Sequence, residues 1–381
     1  MHRFKRQPLR RRHLASVAAC SLAAMLVFSL GSARAEETFD LNALIEAAKK
    51  EPPITVYAVT GKIVDTAKVF SEKYGVQATG KKVNEATQVE LMIRENQAGN
   101  VVGDVSLATD VASAIGQLLP EGIATSWTPP DLQKDIPEGS RNPLVVVSDP
   151  HVWTYNTEKY DRCPITNIWQ LTQPEWRGKL ALLDLFDKPL YADWFNQIET
   201  HRDADVARAY EHLYGKTLET NGQSATAAWV KAFAENGPLL ADSTTVANAA
   251  GAPGQADPFF VITSTAKYRE NLTKGLKLGI CAGVEPFSGF LYPGFGLIAG
   301  QSKSPNAARL FIRYLMTQDG IASQTEDGKI SGNSKISLPA DEPSGVAKYL
   351  GELMVFDPAT AGDDLDKRES WQDLWRLNHR K

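Results

Sequence analysis

From residue 36 onward the chain alternates between two hydrophobic rhythms: apolar residues at helical spacing, and short continuous β-branched runs. Leu41, Leu44, Ile45 and Ala48 fall on one helical face. Asp40 stands where a side-chain oxygen caps a helix, and Pro52-Pro53 ends it. Residues 54–59 form a β-branched run that reads as a buried strand, and Thr60-Gly61 turns the chain. Ile63, Val64, Ala67, Phe70 and Tyr74 repeat at helical spacing, with Gly75 as a C-terminal stop. The same logic predicts a strand over 76–83, a helix over 85–97, a strand over 101–108 and a helix over 111–119. Parallel strands need crossovers, so this βαβαβ order predicts a parallel sheet covered by helices.

The second half has the same character. Residues 144–147 and 152–155 predict two strands separated by Ser148-Asp149-Pro150, a step unlike a hairpin turn and suited to a crossing between lobes. Strands are expected over 179–183, 239–241, 259–262, 276–281 and 295–299, and helices over 191–199, 205–215, 225–236 and 305–317. The tail from Pro339 is helical in patches and ends on Trp371, Leu374 and Trp375, an apolar face that docks on the body. Together these elements define an α/β protein.

The first 35 residues break the pattern. Arg3, Lys5, Arg6 and Arg10 to Arg12 precede an apolar run over 14–30, and Ala33-Arg34-Ala35 offers small residues for a signal peptidase. This order is that of a secretory signal peptide with cleavage after Ala35. Arg11-Arg12 also resembles a twin-arginine signal, and the export route stays open. Removing seven basic and no acidic residues from the 41 basic and 45 acidic ones of the whole chain leaves a mature net charge of −11. That charge disfavours nucleic acid and anionic membranes. The mature length calls for two domains. Cys20 leaves with the leader; Cys163 and Cys281 remain, either as one disulfide or as two separate thiols.

Several stretches resemble the type 2 periplasmic binding proteins, in the branch that includes ferric-iron, thiamine, phosphonate and sugar-phosphate receptors. They are Gly103-Asp104-Val105, Trp153-Thr154-Tyr155-Asn156 with Lys159, Pro174-Glu175-Trp176-Arg177-Gly178-Lys179-Leu180, and Ser304-Pro305-Asn306-Ala307-Ala308-Arg309-Leu310-Phe311 with residues 317–320. The aspartate-proline expected at Asp184 is replaced by Leu185-Phe186-Asp187-Lys188-Pro189 after that aspartate. The resemblance implies a two-lobed fold with the ligand in the cleft and a hinge crossed twice, near 148–155 and 284–292. Lobe one would be 36–149 with 286–381, and lobe two 150–285. Both mature cysteines would then lie in lobe two, which favours their pairing. The implied role is that of the solute-binding component of an ABC importer, a periplasmic monomer that hands its solute to a membrane permease and needs no cofactor. The same fold also serves periplasmic sensor subunits that present their closed form to a membrane kinase.

In such sheets ligands meet the loops beyond the C-terminal strand ends, where helix N-termini favour anions. The candidates are Thr60, Gly61 and Lys62 after the first strand and Thr109 and Asp110 after the third. Asp187, Lys188 and Tyr191 follow the first strand of lobe two, Ser243, Thr244 and Thr245 open a later helix, and Glu285, Ser288, Gly289 and Tyr292 sit on the return hinge. Each has a purely structural alternative. Thr60, Thr109 and Ser243 suit N-caps, Lys62 and Lys188 suit solvated positions, Tyr191 and Tyr292 suit packing, and Gly289 suits a backbone turn.

Ferric-iron members of the resembled branch supply oxygens from adjacent tyrosines, and this chain has no Tyr-Tyr pair. Ser/Thr-rich helix starts with Lys62 and Lys188 favour an anionic organic solute, such as a phosphorylated metabolite, over iron. No enzyme motif stands out: His-Glu-x-x-His is absent, and Ser288 in Glu-Pro-Phe-Ser-Gly lacks the first glycine of a nucleophile elbow. Neither a metal site nor catalytic residues are therefore expected. The leader makes a direct prediction: intact-mass analysis of protein recovered from the cell envelope gives a chain beginning at Glu36. Recovery of a chain still carrying Met1 contradicts it.

Overall fold

The structure, a computed structural model, describes residues 39–380; the leader and its cleavage point lie outside them. The described helices in chain order are α1 (Leu41–Ala48), α2 (Ile63–Tyr74), α3 (Glu85–Gln97), α4 (Val111–Ser113, continued by a π-helical turn Ala114–Leu118), α5 (Leu190–Tyr214), α6 (Ala225–Glu235), α7 (Ser243–Gly251), α8 (Arg269–Thr273), α9 (Pro305–Leu315), α10 (Gln318–Thr325) and α11 (Ala361–Asn378). The strands are β1 (Ile54–Ala58), β2 (Ala78–Lys82), β3 (Val105–Ala108), β4 (Ala124–Ser126), β5 (Val145–Asn156), β6 (Leu180–Leu183), β7 (Leu239–Ala241), β8 (Phe260–Ser264), β9 (Leu278–Ile280), β10 (Gly289–Ala299), β11 (Ile330–Ser331) and β12 (Leu353–Val355).

The strands form one mixed sheet in the order β2-β1-β3-β10-β5-β8-β6-β7. β1 is parallel to both neighbours, as are β6, β7 and β8 among themselves. The long strands β10 and β5 lie antiparallel in the middle, and each is antiparallel to its other neighbour. Two parallel α/β halves thus share a central antiparallel pair. One apolar core joins α1, α2 and α9 to β1 and β3, around Phe70, Phe311 and Tyr314. The other joins β6, β8, α5, α6 and α7, around Trp153, Trp194, Trp229 and Phe233.

Local signals act as their chemistry dictates. Asp40 accepts from the N–H groups of Asn42 (2.8 Å) and Ala43 (3.2 Å), satisfying donors that a helix start leaves free. Gly75 closes α2 at φ 68°. Two expected breaks do not occur. The polar stretch at 200–204 does not end a helix: α5 runs through it for 25 residues without Gly or Pro. Those polar side chains serve tertiary contacts, with Asp203 accepting from the Thr226 N–H at 2.8 Å. The two strands expected at 144–147 and 152–155 are one strand, β5, which passes through Pro150. On the flank away from β10, β11 pairs with β5 up to Ser148 and β8 begins at His151. Asp149 and Pro150 face a gap between those strands, where a missing N–H costs nothing.

The C-terminal helix α11, which the family resemblance groups with lobe one, packs on α5, on α4 with its π-helical turn, and on α6. Trp371 and Trp375 are buried there. Cys163 and Cys281, 118 residues apart, are joined by a disulfide with their Cα atoms 4.8 Å apart. A crosslink over that span restricts the unfolded chain by about 4–5 kcal/mol in the loop-entropy account. The double variant Cys163→Ala/Cys281→Ala is therefore expected to unfold at lower denaturant, with a stability loss of about 2–5 kcal/mol. A midpoint equal to the parent's would refute this.

Candidate functional site

The strand ends and helix starts of the two halves meet over the gap beside β5, between β11 and β8. They enclose a cavity of about 450 Å³, within the usual range of small-molecule sites. β1 and α2 contribute Thr60 and Gly61, and β3 contributes Thr109. From β6 and α5 come Leu183, Lys188 and Leu190; α7 presents Ser243 and Thr244. The floor is the central strand pair, through Val147, Asp149 and His151 of β5 and Tyr292 and Gly294 of β10.

Seven of the fifteen sequence candidates line this cavity: Thr60, Gly61, Thr109, Lys188, Ser243, Thr244 and Tyr292. The other eight lie elsewhere. Lys62 donates to the Ser323 carbonyl (2.7 Å) and pairs with Asp327 (2.9 Å). Asp110 caps α4 by accepting from the Ser113 N–H (3.0 Å), and it pairs with Arg368 at 2.7 Å. Asp187 is exposed on the β6–α5 loop. Tyr191 is buried and its hydroxyl donates to the Ile262 carbonyl at 3.0 Å. Thr245 donates to Asp242 at 2.6 Å. Glu285 meets His212 at 3.2 Å, and Ser288 donates to Glu352 at 2.6 Å. Gly289 lies so close to β5 that a Cβ there would sit 2.1 Å from the His151 carbonyl oxygen.

The cavity also holds charges that sequence reasoning passed over. Its cationic residues are Lys82, Lys188, Lys267, Arg269 and Lys329, and its acids are Glu85, Asp149, Glu270 and Asp327. Three cations are engaged: Lys329 with Asp149 (3.1 Å), Lys267 with Glu270 (3.4 Å), and Arg269 with Asp327 (2.5 Å). Among the described residues no carboxylate lies within ion-pair distance of Lys82 or Lys188. A signal existed for two of these residues: Lys82 and Glu85 flank the end of the second parallel strand, where the rule applied to β1 and β3 applies equally.

Glu85 opens α3 and is 6% exposed. No group among the described residues pairs with its Oε1. Burial, reinforced by the Asp110 charge and opposed by Lys188, pushes its carboxyl up to about 7. His151 lies between the Tyr191 hydroxyl (Nδ1 to Oη 3.2 Å) and the stacked Phe290 ring. Burial outweighs the attraction of Asp149 and pushes its imidazole down to about 4. Tyr292 donates to Asp193 at 3.0 Å, and burial holds its phenol well above the ordinary range. A buried phenol in that state is no ready source of phenolate. Among the described residues no three His, Cys, Asp or Glu side chains converge in a way that holds a metal ion.

Two α/β halves on a shared strand pair, with a polar cavity over it, define a two-lobed solute-binding fold. Residues 54–328 match the family model described as bacterial extracellular solute-binding protein, and the chain belongs to that family. A stretch of 175 residues is 26% identical to the Fe(3+)-binding periplasmic protein of Serratia marcescens. That stretch is 44% of this chain and 45% of the relative, so the chain spans less than half of that protein's length in the match. Among solved structures, iron-bound HitA from Pseudomonas aeruginosa superposes with a TM-score of 0.65 at 16% identity, over 86% of this chain and 99% of that one. The apo ferric ion-binding protein A of Pasteurella haemolytica gives 0.63 at 15%, over 86% and 98%. The substrate-binding protein of an ABC transporter from Agrobacterium tumefaciens gives 0.64 at 12%, over 87% and 95%. At these identities the structures establish a common fold.

His151 makes a pH prediction whose sign is fixed. Its folded pKa lies below the unfolded value of about 6.5, so the unfolded chain takes the proton first. The stability contributed by the neutral ring is complete above about pH 6.5 and is lost as pH falls toward 4, by about 3 kcal/mol in all. In chemical denaturation the stability difference between the parent and His151→Gln should be flat above neutrality and shrink progressively in acid. A difference independent of pH from 4 to 7 would rule this out.

Proposed function

We propose that this protein is an exported solute receptor that captures a small anionic organic solute, such as a phosphorylated metabolite or a carboxylic acid, and passes it to an ABC permease. The observation that carries the anion is the pair Lys82 and Lys188. They line one cavity from the two halves of the fold, and among the described residues neither has a carboxylate partner. An unpaired ammonium on each wall supports a ligand that neutralises both. Hydroxyls of Ser243 and Thr244 at the start of α7, with Thr60 and Thr109, suit the remaining oxygens of such a ligand. A carboxyl at Glu85 whose pKa lies near neutrality adds less negative charge than an ordinary glutamate, which also supports anion capture.

Lobe one in this reading comprises the β1–β3 half with α9 and α10, and lobe two the β6–β8 half. The chain crosses between them in β5 and β10. Turnover is not required for this role, and the cavity residues act by binding. Export into the periplasm follows from the leader, and the receptor works as a monomer.

Ferric iron is the second reading, favoured by the matched structures of iron-bound HitA and ferric ion-binding protein A. The donor set supports it less: the cavity has one tyrosine, Tyr292, and that phenol is committed to Asp193. Native mass spectrometry of protein purified without refolding tests the two. We expect a co-purified organic anion and a thermal shift with phosphate monoesters or dicarboxylates. Lys188→Met should weaken that ligand by about 1.5–3 kcal/mol, roughly tenfold or more, through loss of one charge-assisted contact. A co-purified iron mass, with no thermal response to any organic anion, would overturn the anionic reading.

A further inference from the structure

The C-terminal helix α11 touches both halves of the molecule with one face. Leu365 packs on the π-helical turn after α4, where Gly116 leaves room: a Cβ there would stand 2.6 Å from Leu365 Cδ2. Further along the helix, Trp371 donates to Asn196 of α5 at 3.1 Å, and Trp375 stacks on Phe195. Between these anchors Arg368 reaches the seam. Its guanidinium pairs with Asp110 at the head of α4 (2.7 Å) and with Asp193 near the head of α5 (2.9 Å). Asp110 and Asp193 are 8% and 0% exposed, and Arg368 is 15% exposed. Asp193 in turn holds the hydroxyl of Tyr292, which lines the cavity.

We infer that Arg368 is a positioning residue: through a two-sided ion pair it fixes the angle between the lobes and the placement of Tyr292, without itself lining the cavity. A planar guanidinium can serve two carboxylates only while both lie within reach of its fork. Opening the lobes at the α4–α5 seam separates Asp110 from Asp193 and strands a buried charge, which is costly. The clamp therefore favours one interlobe angle before any solute arrives. Pre-set geometry of this kind alters apparent affinity through the population of the binding-competent form. The inference rests on the two-lobed fold and not on the chemistry of the solute.

Spin labels on Lys68→Cys of α2 and Lys231→Cys of α6, both exposed positions, report the interlobe distance in the full mature chain by double electron–electron resonance. The parent is expected to give one narrow distribution. Arg368→Met should broaden it and shift its mean, and Arg368→Lys, which keeps the charge and loses the fork, should lie between the two. A folded Arg368→Met protein with the parent's distribution overturns the inference, whatever its melting temperature. Should that variant not fold, Asp110→Asn serves instead. It keeps an N-cap oxygen for α4 and removes one of the two anions, so the same broadening is expected and an unchanged distribution is equally fatal. Because the readout needs no ligand, loss of the anionic reading leaves this result standing, and the converse also holds.

Discussion

β5 and β10 run side by side through the middle of the sheet, and nearly every other feature hangs on that pairing. Their register runs from Gly289 opposite Val152 to Phe295 opposite Val145. The parallel strands β1 and β3 extend from one side of the pair and β6 and β8 from the other. Two strands with alternating faces can present polar residues to a cavity on one side while packing apolar residues on the other. Asp149 and His151 on β5, with Tyr292 on β10, form the cavity floor. Gly289 is the cost of bringing the strands this close, because any side chain there would strike the His151 carbonyl. The interruption between β11 and β8 beside β5 then gives Asp149 no sheet to face. It accepts from Ser264 (2.6 Å) and pairs with Lys329 instead, both at the cavity wall.

The polar interior built on this floor is not electrically neutral residue by residue. Glu85, Asp110 and Asp193 lie close together: burial raises the proton affinity of Glu85 and Asp193, and the Asp110 charge adds to it. Arg368 supplies the opposing charge for two of them, and Asp193 still titrates at about 6 because burial outweighs that help. Asp364 tells the same story one turn earlier on α11. Fully buried, it is pushed up to about 7 despite donors from Asn196 and Gln197. Carboxyls raised in this way oppose His151 in their pH response, since they lose stability as pH rises toward neutrality. Arg368 thus pairs Asp110 and Asp193 across the seam between the two halves, and the seam becomes specific for one arrangement.

Much of the scaffold was legible in the sequence because apolar spacing encodes it. Asp40, Gly75 and the 85–97 helix fall where cap and period rules put them. Where those rules failed, a tertiary contact replaced a local one. The polar residues at 200–204 belong inside α5 because Asp203 serves α6, and Pro150 belongs inside β5 because the flanking strands stop short of it. The cavity was half legible. Strand-end logic located Thr60, Thr109, Lys188 and Ser243 without a structure. It could not show that Lys62 and Thr245 turn away to Asp327 and Asp242, since those choices depend on residues far along the chain or on a competing cap. Nor could it place Lys267, Arg269, Asp327 and Lys329, which arrive from the short segments after β8 and α10 with no pattern of their own.

That division explains why likeness of fold carries so little of the ligand. The matched structures share a backbone with this chain at 12–16% identity. A backbone of this kind fixes where strand ends and helix starts converge; it does not fix the side chains they carry. Solute chemistry is decided by a few groups at those ends, and each can change without touching either apolar core. A tyrosine that donates to a buried aspartate and a lysine without a partner are both tolerated by the same scaffold. In the proposed reading the first withholds an oxygen from a metal ion and the second offers a charge to an anion. Selection among solutes can then proceed at the cavity wall while the β5–β10 pair and the clamp on α11 keep the lobes where they are.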